Sequence, residues 1–319
     1  MYLCPQKYQY SIFNFQSSMS NIQSLSILIP TYNDQCVSLV DALRLQAESA
    51  GISYEILVGD DGSTDTNVIQ TNQAINDWPH CQYILRPQNQ GRAATRNFLA
   101  QQAQYPYLLF IDSDMTILSP SFLSRYLAES DVSVVIGGVS IQGSPDTLRG
   151  NLRYLYEKAE EPHHTAALRQ QSPYQHLHTA NLLIRRDLML AHPFDERFRR
   201  YGYEDVLLGK TLRQHRVAIR HIDNPVGFCT FESNPEFVAK TEEGLRTLHQ
   251  FQSDLRGYSR LLTLVSGIHI PLILSLIRLC HRLCQKAERR NLCSSRPSLF
   301  IFKLYRLGYF LSLPTPSAG

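Results

Sequence analysis

Three short apolar segments, each followed by a polar turn, limit the possible folds of this chain more than any other feature. The segments are residues 25–29, 54–58 and 107–111, and the turns are residues 30–33, 60–63 and 112–114. A short apolar run bounded by Gly, Pro, Asn or Asp is typical of a strand buried on both faces. Because the intervening segments have helical spacing, the pattern predicts an α/β fold with a mostly parallel sheet built from right-handed βαβ units.

The three turns are expected at one edge of that sheet. Ligands of open α/β sheets bind outside the carboxyl ends of the strands, which is where these turns lie. Asp112 and Asp114 follow the third strand, so two carboxylates are predicted at a position suited to a metal-bound phosphate. A single Asp-x-Asp is a weak signal, since aspartates are frequent in turns for local hydrogen-bonding reasons. Its place after the third of three such strands favours a functional role.

Two arginines open the helix predicted from residue 92 to about residue 103. Arg92 and Arg96 are four residues apart and therefore share one face of that helix. A cation at a helix N-terminus is ordinarily unfavourable, because that end already carries partial positive charge. The pair therefore indicates a bound anion nearby, with solvated surface charge as the alternative.

Residues 143–178 are polar, and we predict an irregular insertion there that is functional or mobile.

Charge is distributed unevenly along the chain. The formal net charge is +3, yet residues 256–319 contain ten Lys or Arg and one acid, Glu288, which leaves a net charge of −6 for the rest. An acidic body argues against a nucleic-acid partner, whereas the basic tail points to an anionic partner of its own.

The tail is predicted to be helical but not to cross a membrane. Its apolar run, residues 261–279, is interrupted by His269 and Pro271, and a spanning helix needs about 20 mainly apolar residues. Cations interleaved with aromatic residues fit a segment lying on an anionic leaflet, so we predict peripheral membrane contact through residues 261–310. The alternative is a helical face packed on the catalytic body.

The cysteines and the N-terminus indicate a reducing compartment. Seven cysteines without a Cys-x-x-Cys pair resemble neither a disulfide framework nor a zinc site, and no basic region precedes an apolar one at the N-terminus. The predicted location is the cytoplasm, on the inner face of the cell membrane if the tail docks there. Residues 1–23 are expected to be poorly ordered, with translation starting at Met19.

Five motifs, in their order along the chain, resemble those of the family-2 glycosyltransferases. They lie at residues 30–33, 60–63, 89–97, 112–114 and 202–205. The resemblance covers about residues 24–255 and implies a GT-A fold, a Rossmann-like sheet flanked by helices, here followed by a helical basic extension over residues 256–319. It also implies inverting transfer of a sugar from a nucleotide-diphosphate donor, by default a UDP-sugar, to a hydroxyl of a glycan or lipid-linked acceptor in cell-surface polysaccharide synthesis.

The resemblance further implies a divalent cation, Mg²⁺ or Mn²⁺, which offsets the negative charge that develops on the departing diphosphate. Asp114 is implied as its direct ligand, and Asp112 as a contact to the ribose or to metal-bound waters. A histidine after the Glu-Asp motif often completes the site, and His221 is the candidate here.

The other motif residues are implied to hold the substrates. Asp205 is the implied base for the acceptor hydroxyl, with Glu204 orienting the acceptor or the base. The alternative for both Asp205 and Glu204 is a structural role, because acidic residues stabilise a helix N-terminus. Arg92 or Arg96, or both, would face the nucleotide or its diphosphate. The remaining implied donor contacts are Pro30, Thr31, Tyr32, Asn33, Asp60, Asp61, Ser113 and Asn181.

Two alternative functions fit the sequence less well than glycosyl transfer. A sugar-phosphate nucleotidyltransferase would carry a Gly-rich, Lys-containing loop after its first strand, and residues 30–34 contain neither Gly nor Lys. A non-catalytic protein that binds nucleotide sugars or glycans would not need both Asp114 and Asp205.

Overall fold

The structure is a computed structural model and describes residues 22–314. The predictions of poor order before residue 22 and of a start at Met19 lie outside this range. The strands within it are β1 (Ser24–Thr31), β2 (Ser53–Asp60), β3 (Cys81–Leu85), β4 (Tyr107–Ile111), β5 (Met115–Ile117), β6 (Val134–Ile136), β7 (Val139–Ile141), β8 (Asn181–Arg185), β9 (Ile219–His221) and β10 (Val226–Phe228).

The helices of the same range alternate with these strands in the first half and dominate the C-terminal part. They are α1 (Val37–Ala50), α2 (Thr66–Gln73), α3 (Arg92–Gln102), α4 (Phe122–Leu127), α5 (Pro145–Leu148), α6 (Leu152–Glu160), α7 (Ala166–Gln171), α8 (Arg186–Ala191), α9 (Glu204–Gln214), α10 (Asn234–Gln250), α11 (Arg260–Gly267), α12 (Pro271–Leu292) and α13 (Leu299–Ser312).

The main sheet has seven strands in the order β3-β2-β1-β4-β8-β6-β9. Only β8 runs antiparallel to its neighbours β4 and β6, and every other adjacent pair in this sheet is parallel. A second small sheet has the order β5-β10-β7. The predicted mostly parallel sheet flanked by helices is therefore confirmed.

Strand β1 is buried because its two faces are covered by different helices. Ile27 and Ile29 pack in a core cluster with residues of α1, whereas Leu28, between them, packs in a second cluster with Leu99 of α3. Successive strand side chains point to opposite faces, so a continuous apolar run serves both layers. Each such Leu or Ile stabilises the fold by about 1.5–3 kcal/mol.

The carboxyl ends of β1, β2 and β4 lie side by side, as predicted. Thr31 at the end of β1 pairs in register with Asp60 at the end of β2, and β4 pairs parallel to β1 on its other side. The turns at 30–33, 60–63 and 112–114 therefore share one edge of the sheet. Helix α3 begins at Arg92 at the same edge, as its sequence predicted.

The segment 143–178 is not irregular, which corrects the prediction. It contains α5, α6 and α7, and the side chains of Ser144, Asn151 and Thr165 accept hydrogen bonds from backbone N–H groups in their first turns. Capping of this kind stabilises short helices whose polar composition hides them from a search for apolar spacing.

The C-terminal helices α11, α12 and α13 confirm the predicted helical extension. Phe302 and Tyr305 of α13 share a buried cluster with Phe237 and Val238 of α10 and with Leu152 of α6. Within residues 22–314, no helix combines the length and the apolar character needed to cross a bilayer. A boundary at residue 255 stays a prediction.

Candidate active site

A cavity of about 430 Å³ lies where the carboxyl end of β4 meets the start of α9. Asp112 and Asp114, directly after β4, line it together with Glu204 and Asp205, the first two residues of α9. Two acidic motifs about ninety residues apart in sequence therefore converge on one cavity. Arg92 and Arg96 of α3 line the same space.

Arg96 connects the two acidic motifs directly. Its guanidinium donates to Asp112 Oδ1 at 2.7 Å and to Glu204 Oε1 at 3.0 Å, and only 1% of the side chain is exposed. Charge-assisted bonds from one planar group fix both carboxylates relative to each other. Arg96 was predicted to face a diphosphate, but the structure engages its two terminal nitrogens with protein carboxylates. Arg92, exposed at the helix start, carries no such ion pair among the described residues.

Asp112 and Asp114 differ in their tendency to ionise. Burial acts to raise the pKa of Asp112, but the neighbouring charges of Arg96 and Arg92 and the hydrogen bond from Arg96 lower it below its ordinary value. Burial, followed by repulsion from Asp112, raises the pKa of Asp114 to about 6. The pair thus consists of one firmly ionised carboxylate and one whose charge is disfavoured by its surroundings.

Asp205 is poised to exchange a proton near neutral pH. Its Oδ1 accepts a hydrogen bond from the Val206 backbone N–H at 2.7 Å. Although 25% of the side chain is exposed, burial first and the charge of Glu204 second raise the pKa of Asp205 to about 7. His178 Nδ1 lies 3.9 Å from Asp205 Oδ2, and burial, followed by the charges of His164 and His176, lowers the pKa of this imidazole, although 42% of its side chain is exposed.

Two cations lie over the ring of Tyr201, which lines the cavity, and the charge of Arg153 also acts on this residue. The guanidinium of Arg92 lies 5.0 Å from the centre of the Tyr201 ring and the ammonium of Lys240 lies 4.9 Å from it. Arg153 also lines the cavity, forms an ion pair with Glu232 and lies 4.2 Å from the centre of the Phe228 ring. Sequence reasoning missed Arg153 and Lys240, because they belong to α6 and α10 and stand in none of the five motifs.

The wall of the cavity formed by α6 and the segment after it combines carboxylates with imidazoles of lowered pKa. Glu157, Glu160, His164 and His178 line the cavity. Burial raises the pKa of Glu157 and lowers the pKa of His164 below its ordinary value. This wall therefore offers hydrogen-bond donors and acceptors, and Arg260 and Lys303 form ion pairs with Glu160 beside it.

The cavity contains residues suited to a divalent cation. No cluster of three or more His, Cys, Asp or Glu side chains with metal-binding geometry occurs within residues 22–314. A hard cation bound to a nucleotide needs only one or two carboxylates, because phosphate oxygens and waters complete its coordination. Burial first and the charge of Asp112 second raise the pKa of Asp114, and a bound cation would offset both effects on its ionised form. Asp112 and Asp114 thus fit the implied Mg²⁺ or Mn²⁺.

His221 does not fit as a further metal ligand. It is not among the residues that line the cavity, and both ring nitrogens have protein partners. Nδ1 lies 3.0 Å from a guanidinium nitrogen of Arg169, and Nε2 lies 3.0 Å from the carbonyl oxygen of Pro173. The structure disagrees with the prediction for His221, because residues distant in the sequence contact both nitrogens of its imidazole.

Asp60 and Asp61 are also engaged with the protein itself. Asp60, fully buried, accepts hydrogen bonds from the Ser63 backbone N–H at 2.7 Å and from the Tyr83 hydroxyl. Asp61 accepts from the backbone N–H of Gly91 at 2.8 Å, which ties the turn after β2 to the loop before α3. These contacts shape the loops, and hydrogen bonds that Asp60 and Asp61 would accept from the base and ribose of a donor stay a prediction.

The other predicted donor contacts also lie outside the cavity. Asn33 accepts from the backbone N–H of Thr64 at 2.8 Å, while Tyr32 is 46% exposed. Pro30 and Ser113 are half-buried, and Thr31 is buried. These positions border the same sheet edge as the cavity, and their contact with a donor stays a prediction.

Asn181, the predicted donor-sugar contact, has a structural role. It is fully buried at the start of β8, and its amide donates to the carbonyl oxygens of Gly138 and Asn224, each at 2.8 Å. Its side-chain oxygen accepts from the Tyr126 hydroxyl at 2.7 Å. All its polar atoms are therefore satisfied within the protein, which disagrees with the predicted contact.

Comparisons with known proteins identify the family. A model of the family described as glycosyl transferase family 2 matches residues 26–190, just over half of the chain. The chain is 28% identical over 227 residues to validoxylamine A glucosyltransferase of Streptomyces hygroscopicus subsp. limoneus, covering 62% of this chain and 49% of that protein. It is 25% identical over 237 residues to chondroitin synthase of Pasteurella multocida, covering 64% of this chain and 24% of that protein. The chain thus spans at most about half the length of these relatives.

A solved structure matches the chain over most of its length. Residues 1–349 of S. aureus TarS, in complex with UDP-GlcNAc, align with a TM-score of 0.50 and 17% identity, covering 91% of this chain and 90% of that one. At this identity the likeness concerns the fold, and it confirms the predicted GT-A architecture.

Proposed function

The chain belongs to glycosyl transferase family 2, and we propose that it moves a sugar, with inversion, from a nucleoside diphosphate to a hydroxyl group of a glycan or lipid-linked acceptor. The observation that carries this proposal is the convergence of Asp112 and Asp114 with Glu204 and Asp205 on one cavity. The similarity to chondroitin synthase supports a polysaccharide as the class of product.

Asp205 is the base in this proposal. A base works best when its pKa lies near the working pH, since it is then both ionised and able to hold the proton it takes. The pKa of Asp205, raised to about 7, meets this requirement. Arg96 holds Glu204 beside Asp205, where its charge, after burial, is the second cause of the raised pKa of Asp205.

The donor diphosphate is proposed to lie between the acidic pair after β4 and the cations around Tyr201. Arg92, Lys240 and Arg153 place positive charge on that side of the cavity. Asp112 and Asp114 would hold Mg²⁺ or Mn²⁺, which supplies positive charge against the developing negative charge of the leaving group.

The acceptor is proposed to lie against the wall formed by Glu157, Glu160, His164 and His178. Carboxylates and neutral imidazoles accept or donate hydrogen bonds to sugar hydroxyls, whereas carboxylates repel phosphate groups. The acceptor end that enters the cavity is therefore proposed to be an uncharged sugar.

Nucleotide sugars should stabilise the folded chain in a cation-dependent way. We expect UDP, UDP-glucose and UDP-GlcNAc, tested with and without Mn²⁺, to include a ligand that raises the melting temperature. A ligand that binds only the folded state at 100 times its Kd contributes about 2.7 kcal/mol. Asp114→Asn should remove the Mn²⁺-dependent part of the shift, whereas Asp146→Asn, at an exposed position of α5, should retain it. An equal Mn²⁺-dependent shift in wild type and Asp114→Asn would contradict the metal assignment.

The rate of transfer should fall below about pH 7. Asp205 must be ionised to accept a proton, so kcat/KM is expected to drop about tenfold for each pH unit below its pKa. Replacing Glu204 with Gln removes the neighbouring negative charge, lowers the pKa of Asp205 and should move the acidic limb to lower pH. A pH–rate profile measures both effects. If the limb stays in place in Glu204→Gln, another group controls it.

A further inference from the structure

Helix α12 carries an exposed apolar stripe on the side opposite to its packing face. Leu272, Leu276, Leu279 and Leu283 follow one another at intervals of four, three and four residues and therefore lie on one face. They are 76%, 56%, 52% and 77% exposed, respectively. A helix on the surface of a soluble domain normally presents polar residues to solvent.

The other face of α12 is the one that packs on the protein. Leu274 and Ile277 pack against the buried cluster that contains Phe310 of α13. His281 is 3% exposed, and its ring lies 5.3 Å from that of Tyr305. The helix is thus apolar on two opposite sides, and only one of them is covered within residues 22–314.

This stripe belongs to a segment, residues 264–304, that carries most of the exposed large apolar side chains of the described residues. Nine of the fifteen exposed large apolar side chains in the described part of the chain fall between residues 264 and 304. They are Leu264, Ile270, Leu272, Ile273, Leu276, Leu279, Leu283, Phe300 and Leu304. A concentration of this kind marks an interaction surface, whereas isolated exposed apolar residues do not.

Unpaired cations border the stripe. Arg282 and Lys286 follow Leu279 and Leu283 by three residues each and are therefore their neighbours on the helix surface. Across residues 22–314, no carboxylate lies within ion-pair distance of Arg278, Arg282 or Lys286. The sequence from 255 to 287 contains five Lys or Arg and neither Asp nor Glu. The complementary partner is therefore apolar and anionic at once.

We propose that the exposed face of α12 docks on the surface of an anionic lipid bilayer. Leucines would enter the boundary between head groups and acyl chains, while Arg282 and Lys286 would contact anionic head groups. A second copy of the chain suits this face less well. The stripe on α12 extends over about two heptads, whereas a stable coiled coil needs about three or four. Pairing of two copies would also bring like charges together. This proposal does not depend on the proposed enzymatic activity.

Co-sedimentation with vesicles tests the proposal. The full chain is incubated at about 0.1 M salt with vesicles of phosphatidylcholine alone or of phosphatidylcholine and phosphatidylglycerol at three to one. We expect the wild type to sediment with the anionic vesicles at least tenfold more than with the neutral ones. Leu276→Glu combined with Leu283→Glu should lower binding to anionic vesicles by more than tenfold. Arg282→Glu combined with Lys286→Glu should do the same, since each cation near the surface strengthens binding about fivefold.

The matched control is Leu45→Glu, which places the same charge at a leucine of α1, outside residues 264–304. The side chain of Leu45 is 52% exposed. It should bind vesicles as the wild type does, and circular dichroism should show all variants folded, since each changed side chain is exposed. Wild-type protein that stays in the supernatant with anionic vesicles would overturn the proposal. So would a Leu276→Glu, Leu283→Glu protein that still sediments, or a wild-type dimer in analytical ultracentrifugation that those two changes dissociate.

Discussion

Replacing Asp205 with Asn is expected to lower the rate of sugar transfer by about 10²–10⁴-fold, the usual contribution of a positioned base. The amide has nearly the same shape and can still accept the hydrogen bond from Val206 N–H, so the start of α9 should be preserved. It cannot take a proton. Release of nucleoside diphosphate from each UDP-sugar, measured with saturating donor, reports the rate.

Donor affinity and stability separate this outcome from simple damage to the fold. Donor binding by calorimetry should stay within about threefold of the wild type, because Asp205 is assigned to the acceptor hydroxyl. Since burial raises the pKa of Asp205 to about 7, its ionised form destabilises the folded state above that pH. Asp205→Asn should therefore be at least as stable as the wild type at pH 8.

The control for Asp205 is Asp187→Asn, on the surface of α8, where the carboxylate forms an exposed ion pair with Arg185. It should retain wild-type transfer. Equal transfer by Asp205→Asn and wild type would remove Asp205 from the mechanism. If both proteins bind donor and neither transfers a sugar to any acceptor, a non-catalytic binding protein becomes the better description.

Replacing Arg96 with Leu is expected to lower the free energy of unfolding by about 3–5 kcal/mol. The change removes the cation between Asp112 and Glu204 and leaves two carboxylates, one of them 7% exposed, without their partner. Arg96→Lys keeps the charge, but its ammonium lacks the planar guanidinium that bonds to both acids at once. An intermediate loss of unfolding free energy is therefore expected. Urea denaturation monitored by fluorescence measures each value.

Two further variants make the prediction for Arg96 specific. Arg185→Leu breaks the exposed pair with Asp187 and should cost at most about 1 kcal/mol. Adding Asp112→Asn and Glu204→Gln to Arg96→Leu should recover part of the lost stability, because the uncompensated charges are then gone. A loss below about 1 kcal/mol in Arg96→Leu would show that the ion pairs contribute little.

The parts of the site that depend on local sequence were predictable. Asp112 and Asp114 follow an apolar strand, and Arg92 opens a helix after a Gly-containing loop, so strand ends and helix starts placed them at one edge of the sheet. Glu204 and Asp205 were located through a motif, and the structure places them on the same cavity. These residues were found because their signals extend over only a few positions.

The parts that depend on distant partners were not predictable. Asp60 accepts a hydrogen bond from the Tyr83 hydroxyl, and the Asn181 amide donates to the carbonyl oxygens of Gly138 and Asn224. A polar residue after a strand has the same appearance in sequence whether it binds a ligand or a remote backbone. Lys240 was missed for the complementary reason, since a single lysine in an amphipathic helix carries no motif until Tyr201 is placed beside it.

The antiparallel strand β8 determines when β4 and β6 can be joined into one sheet during translation. Strand β6 has β8 and β9 as its neighbours, and both are synthesised after it. A ribosome that has released residues up to 180 therefore presents the outer edge of β4 and both edges of β6 without native partners. Unpaired edges of this kind promote association between nascent chains. Emergence of residues 181–185 joins β4 to one edge of β6, and the other edge of β6 stays open until residues 219–221 of β9 follow.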